Sequence, residues 1–112
     1  MVVDSDSGLR TVRIGFLPLT DCAALAIAVE RGFDRKYGLN IELSRESSWA
    51  AVRDKLGSGA LDAAHALYGL MVGVQLGIGC QQADMAVLMN LSQNGQAITV
   101  ARALAGRGTV SG

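Results

Sequence analysis

TVRIGFLPLTDCAALAIAVERGF, residues 11–33, is the stretch whose reading decides the fold. Val12, Ile14 and Phe16 alternate with Arg13 and Gly15, and Leu17 and Leu19 extend the run around Pro18. That period of two predicts a strand ending at a turn. Thr20 or Asp21 then offers a side-chain oxygen to cap a long amphipathic helix, with Leu25, Ile27, Ala28 and Val29 on its apolar side. A strand that empties into a helix N-terminus forms a corner whose outward amides and positive dipole end favour an anion. Pro18 to Cys22 is therefore the first candidate ligand corner, with Thr20 and Asp21 as its polar residues.

Downstream, the period changes twice more. Gly38, preceded by Arg35 and Lys36, closes the helix at a left-handed stop, and Ile41 and Leu43 alternate with Glu42 and Ser44 in a second strand. The intervening helix makes that strand parallel to the first. Ser47 or Ser48 caps the next helix, which begins at Trp49, carries Ala50, Ala51, Val52 and Leu56 on its apolar side and Asp54 and Lys55 towards solvent, and runs out in Gly57-Ser58-Gly59. Leu61 to Ala66 reads as a short buried third strand. Tyr68 to Ile78 is apolar on nearly every side and is expected to be covered all round. Met85 to Met89 reads as an inner parallel strand, NLSQNGQ (residues 90–96) as a turn-rich loop, Ala97 to Val100 as a further strand, and residues 101–108 as the start of another helix. The alternation predicts an α/β fold, a mainly parallel sheet flanked by helices.

The 112 residues hold at most one domain, and half of them are apolar. Formal net charge is zero and no basic run occurs, which removes electrostatic support for a direct nucleic-acid surface. Ala66 to Cys80, the longest apolar reach, is too short and too broken by Gln75 and glycines for a membrane span. Residues 1–10, MVVDSDSGLR, read as a flexible lead-in, polar and without periodicity, before a single unit over 11–112. Their acidic residues do not suit a secretory signal peptide, so the chain as written reads as cytoplasmic, or periplasmic if a signal has been removed. Cys22 and Cys80 are expected as buried free thiols. One histidine and two distant cysteines assemble no metal site.

No catalytic pattern emerges: the carboxylates are scattered, His65 stands alone without a GxSxG motif, and Gly57-Ser58-Gly59 follows a helix instead of a strand. His65 is expected to pack or to hydrogen-bond the backbone. No cofactor is implied. What remains are corners at the carboxyl ends of strands, where open α/β sheets bind ligands. The sole tryptophan, Trp49, stands at such a corner after two serines. Its indole either donates to an anion and walls off water, or packs its helix onto the sheet. The amides Asn90, Gln93, Asn94 and Gln96 are either neutral donors or a solvated turn.

LPLTDCAALAIAVERGF, SRESSWAAVRDKLGSGALDAAHALYGL and VLMNLSQNGQAITVA, in that order, resemble the amino-terminal lobe of the nitrate- and bicarbonate-binding proteins of ABC importers and of the related cytoplasmic nitrate sensors. The resemblance runs from Val12 to about Leu104. It implies a type II periplasmic-binding-protein fold, in which two α/β lobes close on a small oxyanion. In the nitrate-binding members a Trp and a Gln of the first lobe enter the pocket; Trp49 matches the Trp, and Gln96 is the choice for the Gln, with Gln93 as the neighbouring alternative. A basic pocket residue belongs to the second lobe, which is expected to be absent here. A cleft with one wall lacks dehydration and half of its donors, so little or no nitrate affinity is expected of this chain alone, and exposed sheet edges favour self-association.

The resemblance thus implies recognition of nitrate or nitrite, without enzymatic turnover, alongside an ABC permease or a cytoplasmic antiterminator regulator. Bicarbonate or an alkylsulfonate is the alternative ligand. A small-metabolite enzyme on the same fold is the alternative class, and it would have to use Cys22 and His65.

Overall fold

The computed structural model describes residues 2–3, 8–93 and 100–105. Its elements are β1 (Val2–Val3), β2 (Arg10–Phe16), a 3-10 turn (Thr20–Cys22), α1 (Ala23–Glu30), α2 (Phe33–Lys36), β3 (Leu39–Arg45), α3 (Trp49–Ser58), β4 (Ala63–Ala64), α4 (Tyr68–Leu76) and α5 (Arg102–Ala105). The class is α/β. β3 runs parallel to β2 over its whole length, from Arg10↔Leu39 to Phe16↔Arg45. β4 runs parallel to β2 at Ile14↔Ala63 and Gly15↔Ala64. β1, within the stretch read as a lead-in, pairs antiparallel with Arg10 and Thr11. With β3 occupying one edge of β2, both β1 and β4 must share the other.

The spatial order β3-β2-β4 places successive crossovers on opposite sides of β2. Such a reversal opens a crevice at the carboxyl end of the central strand, where α/β sheets receive ligands. The buried apolar residues of the described chain are Val52 of α3, Leu61 before β4 and Val74 of α4. α3 packs against both β4 and α4. Leu61 lies directly over Gly15. A Cβ built at Gly15 would stand 2.5 Å from Leu61 Cδ1 and 3.3 Å from Glu46 Cγ, so the central strand has room there only for glycine.

Three carboxylates fasten the loops to this sheet. Asp34 of α2 is buried and its Oδ2 accepts the Ile41 amide of β3 at 2.9 Å. Asp62 accepts the Arg13 amide at 2.9 Å, while its own amide donates to the Arg13 carbonyl. Glu46 is buried just past β3, where it accepts from Ser44 Oγ and Lys55 Nζ, each at 2.7 Å. All three titrate below the ordinary carboxylate range. The first cause is the Ile41 amide for Asp34, the Lys55 ammonium for Glu46 and the Arg13 amide for Asp62.

Several expectations are corrected. The first helix is not one long segment: α1 ends at Glu30, Gly32 adopts φ 68°, and α2 restarts at Phe33, because a left-handed residue cannot continue a right-handed helix. Neither Thr20 nor Asp21 caps it. The N-cap residues of the 3-10 turn and of α1 are Leu19 and Cys22, and neither makes a side-chain cap bond. Lys55 is exposed as expected, and its ammonium also reaches Glu46.

The largest differences lie in the second half. α4 is not covered all round by the described residues, since Tyr68 and Leu76 are 68% and 66% exposed. Met85 to Met89 forms no strand; Leu88 is 85% exposed. A strand is defined by its ladder, and no described strand pairs with this run. Both cysteines are free and half-buried instead of sealed. The Asn94-Gly95 turn, Gln96 and the Ala97 to Thr99 part of the expected strand lie outside the described residues, and Val100 is not in a strand. Helix α5 occurs where the sequence predicts one.

Gly15→Ala is expected to cost about 1–3 kcal/mol in urea unfolding through overpacking against Leu61, and in a Leu61→Ala background the same substitution should cost less, because the clash is gone.

Stability is also expected to depend on acid. Because the folded carboxylates hold their protons less tightly than unfolded ones, the unfolded chain binds more protons as the pH falls, so the stabilisation is present above the ordinary carboxylate range and lost below it. Urea midpoints should fall from pH 6 to pH 3, and Asp34→Asn should be less stable at pH 6 with a shallower acid decline.

Candidate functional site at the carboxyl ends of the strands

Three loops meet where β2, β3 and β4 end. The loop after β2 carries Thr20, which is exposed, and Asp21, which is half-buried on the 3-10 turn. The loop after β3 leads into α3, where Ser48 is the N-cap: its Oγ accepts from the Ala51 amide at 3.1 Å and its carbonyl from the Val52 amide at 3.2 Å. Trp49 follows as the first helical residue, half-buried. The amides of Trp49 and Ala50 precede the first intrahelical acceptor and point out of the helix start. The loop after β4 begins with His65, whose amide donates to the Gly15 carbonyl at 2.9 Å.

His65 joins the three loops. Its ring meets that of Trp49 edge-to-face, with centroids 5.7 Å apart and planes at 64°. Its Nε2 lies 3.7 Å from Asp21 Oδ2. The imidazole is only 5% exposed, and its Nδ1 is buried with no hydrogen-bond partner among the described residues. An aromatic pair at this geometry adds about 0.5–1.5 kcal/mol beyond the area it buries.

Of the residues singled out from the sequence, the fold brings Asp21 and Trp49 to this corner, and Thr20 beside Asp21 on the same turn. Gln93 is exposed on a segment without regular structure and makes no hydrogen bond to the group. Gln96 lies outside the described residues. His65, expected to pack or to bond the backbone, packs against Trp49, and its imidazole makes no hydrogen bond to the backbone among the described residues; its approach to Asp21 is an addition that the sequence does not show. The only signal available there is its place, directly after a strand. Glu46 reads in the sequence as one of several scattered acids, yet it pins the loop that delivers Trp49, because Lys55 lies on α3 and Ser44 on β3. Among the described residues no group of three His, Cys, Asp or Glu side chains is arranged to hold a metal ion.

Comparison with known proteins places the chain in a family. A family model described as NMT1-like matches residues 5–111. The chain belongs to the NMT1-like family. Among similar members, the nitrate import ATP-binding protein NrtC of Synechocystis is 39% identical over 106 residues, 91% of this chain and 16% of NrtC. The bicarbonate-binding protein CmpA of Synechococcus elongatus is 37% identical over 107 residues, 89% of this chain and 24% of CmpA. The crystal structure of the periplasmic nitrate-binding protein NrtA from Synechocystis superposes with a TM-score of 0.57 at 39% identity, covering 62% of this chain and 19% of NrtA. The chain thus spans about a quarter or less of the relatives it matches.

Because Trp49 is the sole tryptophan, its emission reports on this corner. Ser48→Ala is expected to lower stability by about 1 kcal/mol through loss of the cap, read as a lower urea midpoint in the Trp49 emission.

Proposed function

We propose that residues 11–112 form the amino-terminal recognition lobe for a small oxyanion, nitrate or nitrite, in the substrate-binding part of an ATP-driven importer. The observation that carries this reading is the half-buried placement of the only tryptophan on the first turn of α3, at the carboxyl ends of the parallel strands. There the indole N–H and the free first-turn amides are neutral donors. A planar anion with its charge spread over several oxygens is matched by such donors without a full countercharge. Trp49 is the central ligand in this reading. Gln96, with Gln93 as the alternative, supplies the carboxamide, and Thr20 and Asp21 contribute the wall that leaves β2, Asp21 through its link to His65.

Similarity to NrtC and NrtA supports nitrate, and similarity to CmpA supports bicarbonate as the second reading. The proposed work is recognition without turnover: His65, the one imidazole, is buried against Trp49 and Asp21 instead of facing a substrate. The partner in this reading is an ABC permease, and the compartment is the periplasm, where NrtA works. A cytoplasmic sensor acting on an antiterminator would use the same corner.

The test is a titration of the ¹⁵N-labelled chain, followed through the single indole N–H resonance of Trp49. Nitrate is expected to shift it saturably, with a dissociation constant on the order of 1 mM, equivalent to about −4 kcal/mol, while chloride at equal ionic strength leaves it in place. A larger and tighter response to bicarbonate would transfer the reading to that anion, and a response to neither would remove it.

A further inference from the structure

We infer that His65 is the positioning residue of the anion corner: it holds the Trp49 indole in its donating orientation without itself touching the ligand. The inference rests on the reading of Trp49 as the anion's contact, and it names the side chain that makes that contact possible.

Trp49 has little local support of its own. It sits on the first turn of a ten-residue helix, half-buried, where one side of the ring has no preceding turn to pack on. A side chain there keeps a single rotamer only if a neighbour enforces it. The ring that Trp49 meets among the described residues is the imidazole of His65. That imidazole is well placed to enforce a rotamer because it is almost fully buried on a residue anchored to the sheet. Its backbone is tied to the central strand by the bond from the His65 amide to the Gly15 carbonyl, and its Nε2 faces the Asp21 carboxylate at 3.7 Å. Asp21 in turn belongs to the 3-10 turn that leaves the same strand.

A direct ligand role fits His65 poorly. The side chain is only 5% exposed, and Nδ1, the nitrogen not facing Asp21, is itself buried. An anion at the corner would meet the indole and the helix amides first. A buried ring nitrogen without a partner is a cost that ordinary core packing avoids. An apolar ring or an aliphatic side chain would fill the same place without it. The retained imidazole is accounted for if its two other properties are both in use, the flat edge against the indole and the polar nitrogen towards Asp21. Ordering a donor before the ligand arrives raises affinity by removing the cost of ordering it on binding.

The test compares His65→Phe, which keeps a ring against Trp49 and gives up the Asp21 link, with His65→Gln, which removes the ring. Two readouts are taken on each folded chain: the near-ultraviolet circular dichroism of Trp49, which reports a fixed indole, and the nitrate titration of its N–H resonance. His65→Phe is expected to keep part of the dichroic band and to weaken nitrate by about twofold, less than the ring-less variant. His65→Gln is expected to lose the band and to weaken nitrate about three- to tenfold, the span an edge-to-face pair commands, while far-ultraviolet spectra stay the same. Should His65→Gln fail to fold, His65→Leu carries the same expectation. The inference is overturned if the ring-less variant keeps both band and affinity, or if His65→Phe loses as much as the ring-less variant. An absent nitrate response in the parent chain would remove the anion reading alone, because the dichroic comparison still decides whether His65 fixes Trp49.

Discussion

The carboxyl end of β2 is the constraint on which the rest depends. The strand has a parallel neighbour on each side, and its last carbonyls are spoken for: Gly15 accepts from the His65 amide and Phe16 from the Glu46 amide. Leu61 closes over Gly15 where no Cβ fits. These few bonds and one packing contact bring the exits of three strands to the same place. A bulkier residue at position 15 would lift Leu61 from the sheet and separate the loop carrying His65 from the loop leading to Trp49.

Charge is handled at the same junctions. Asp34, Glu46 and Asp62 each sit against a backbone amide or a cation that favours their ionised form, and Asp62 joins segments 49 residues apart. Glu46 is the most telling of them. It is buried, it bonds to the end of β3 through Ser44, and it draws Lys55 back from α3, so it sets where the helix that begins with Trp49 starts. Asp21 differs from these three, since its partner is the imidazole that stands between it and the indole. The corner therefore gathers the indole, the start of α3 and the Asp21–His65 pair at one end of the sheet.

The half of the chain after α3 is organised differently. α4 buries Val74 but leaves Tyr68 and Leu76 largely open, and residues 81–90 pass without regular structure. Gln75 holds this passage, accepting from the Met85 amide at 2.8 Å and donating to Asp84 at 3.1 Å. A single amide side chain thus does locally what strand pairing does in the first half. The relatives with which the chain aligns are four or more times as long as the part that it matches.

Much was determined by the sequence on its own terms: a period-two run of Val12, Ile14 and Phe16, a left-handed stop at Gly38, Ser48 ahead of Trp49 and the Gly59 terminus all encode local choices that need no partner. The α/β class and the parallel pairing of β2 with β3 follow from that alternation. Where reading fell short, the missing information was non-local. Met85 to Met89 has the composition of an inner strand, but pairing needs a neighbouring edge that composition does not supply. Asp21 has the look of a cap because cap residues are recognised by type, while its actual partner, His65, lies far along the chain. His65 could be placed after a strand, yet only the folded sheet shows that this position faces the indole across the end of β2, because side-chain contacts between separate loops are decided by which strands lie side by side.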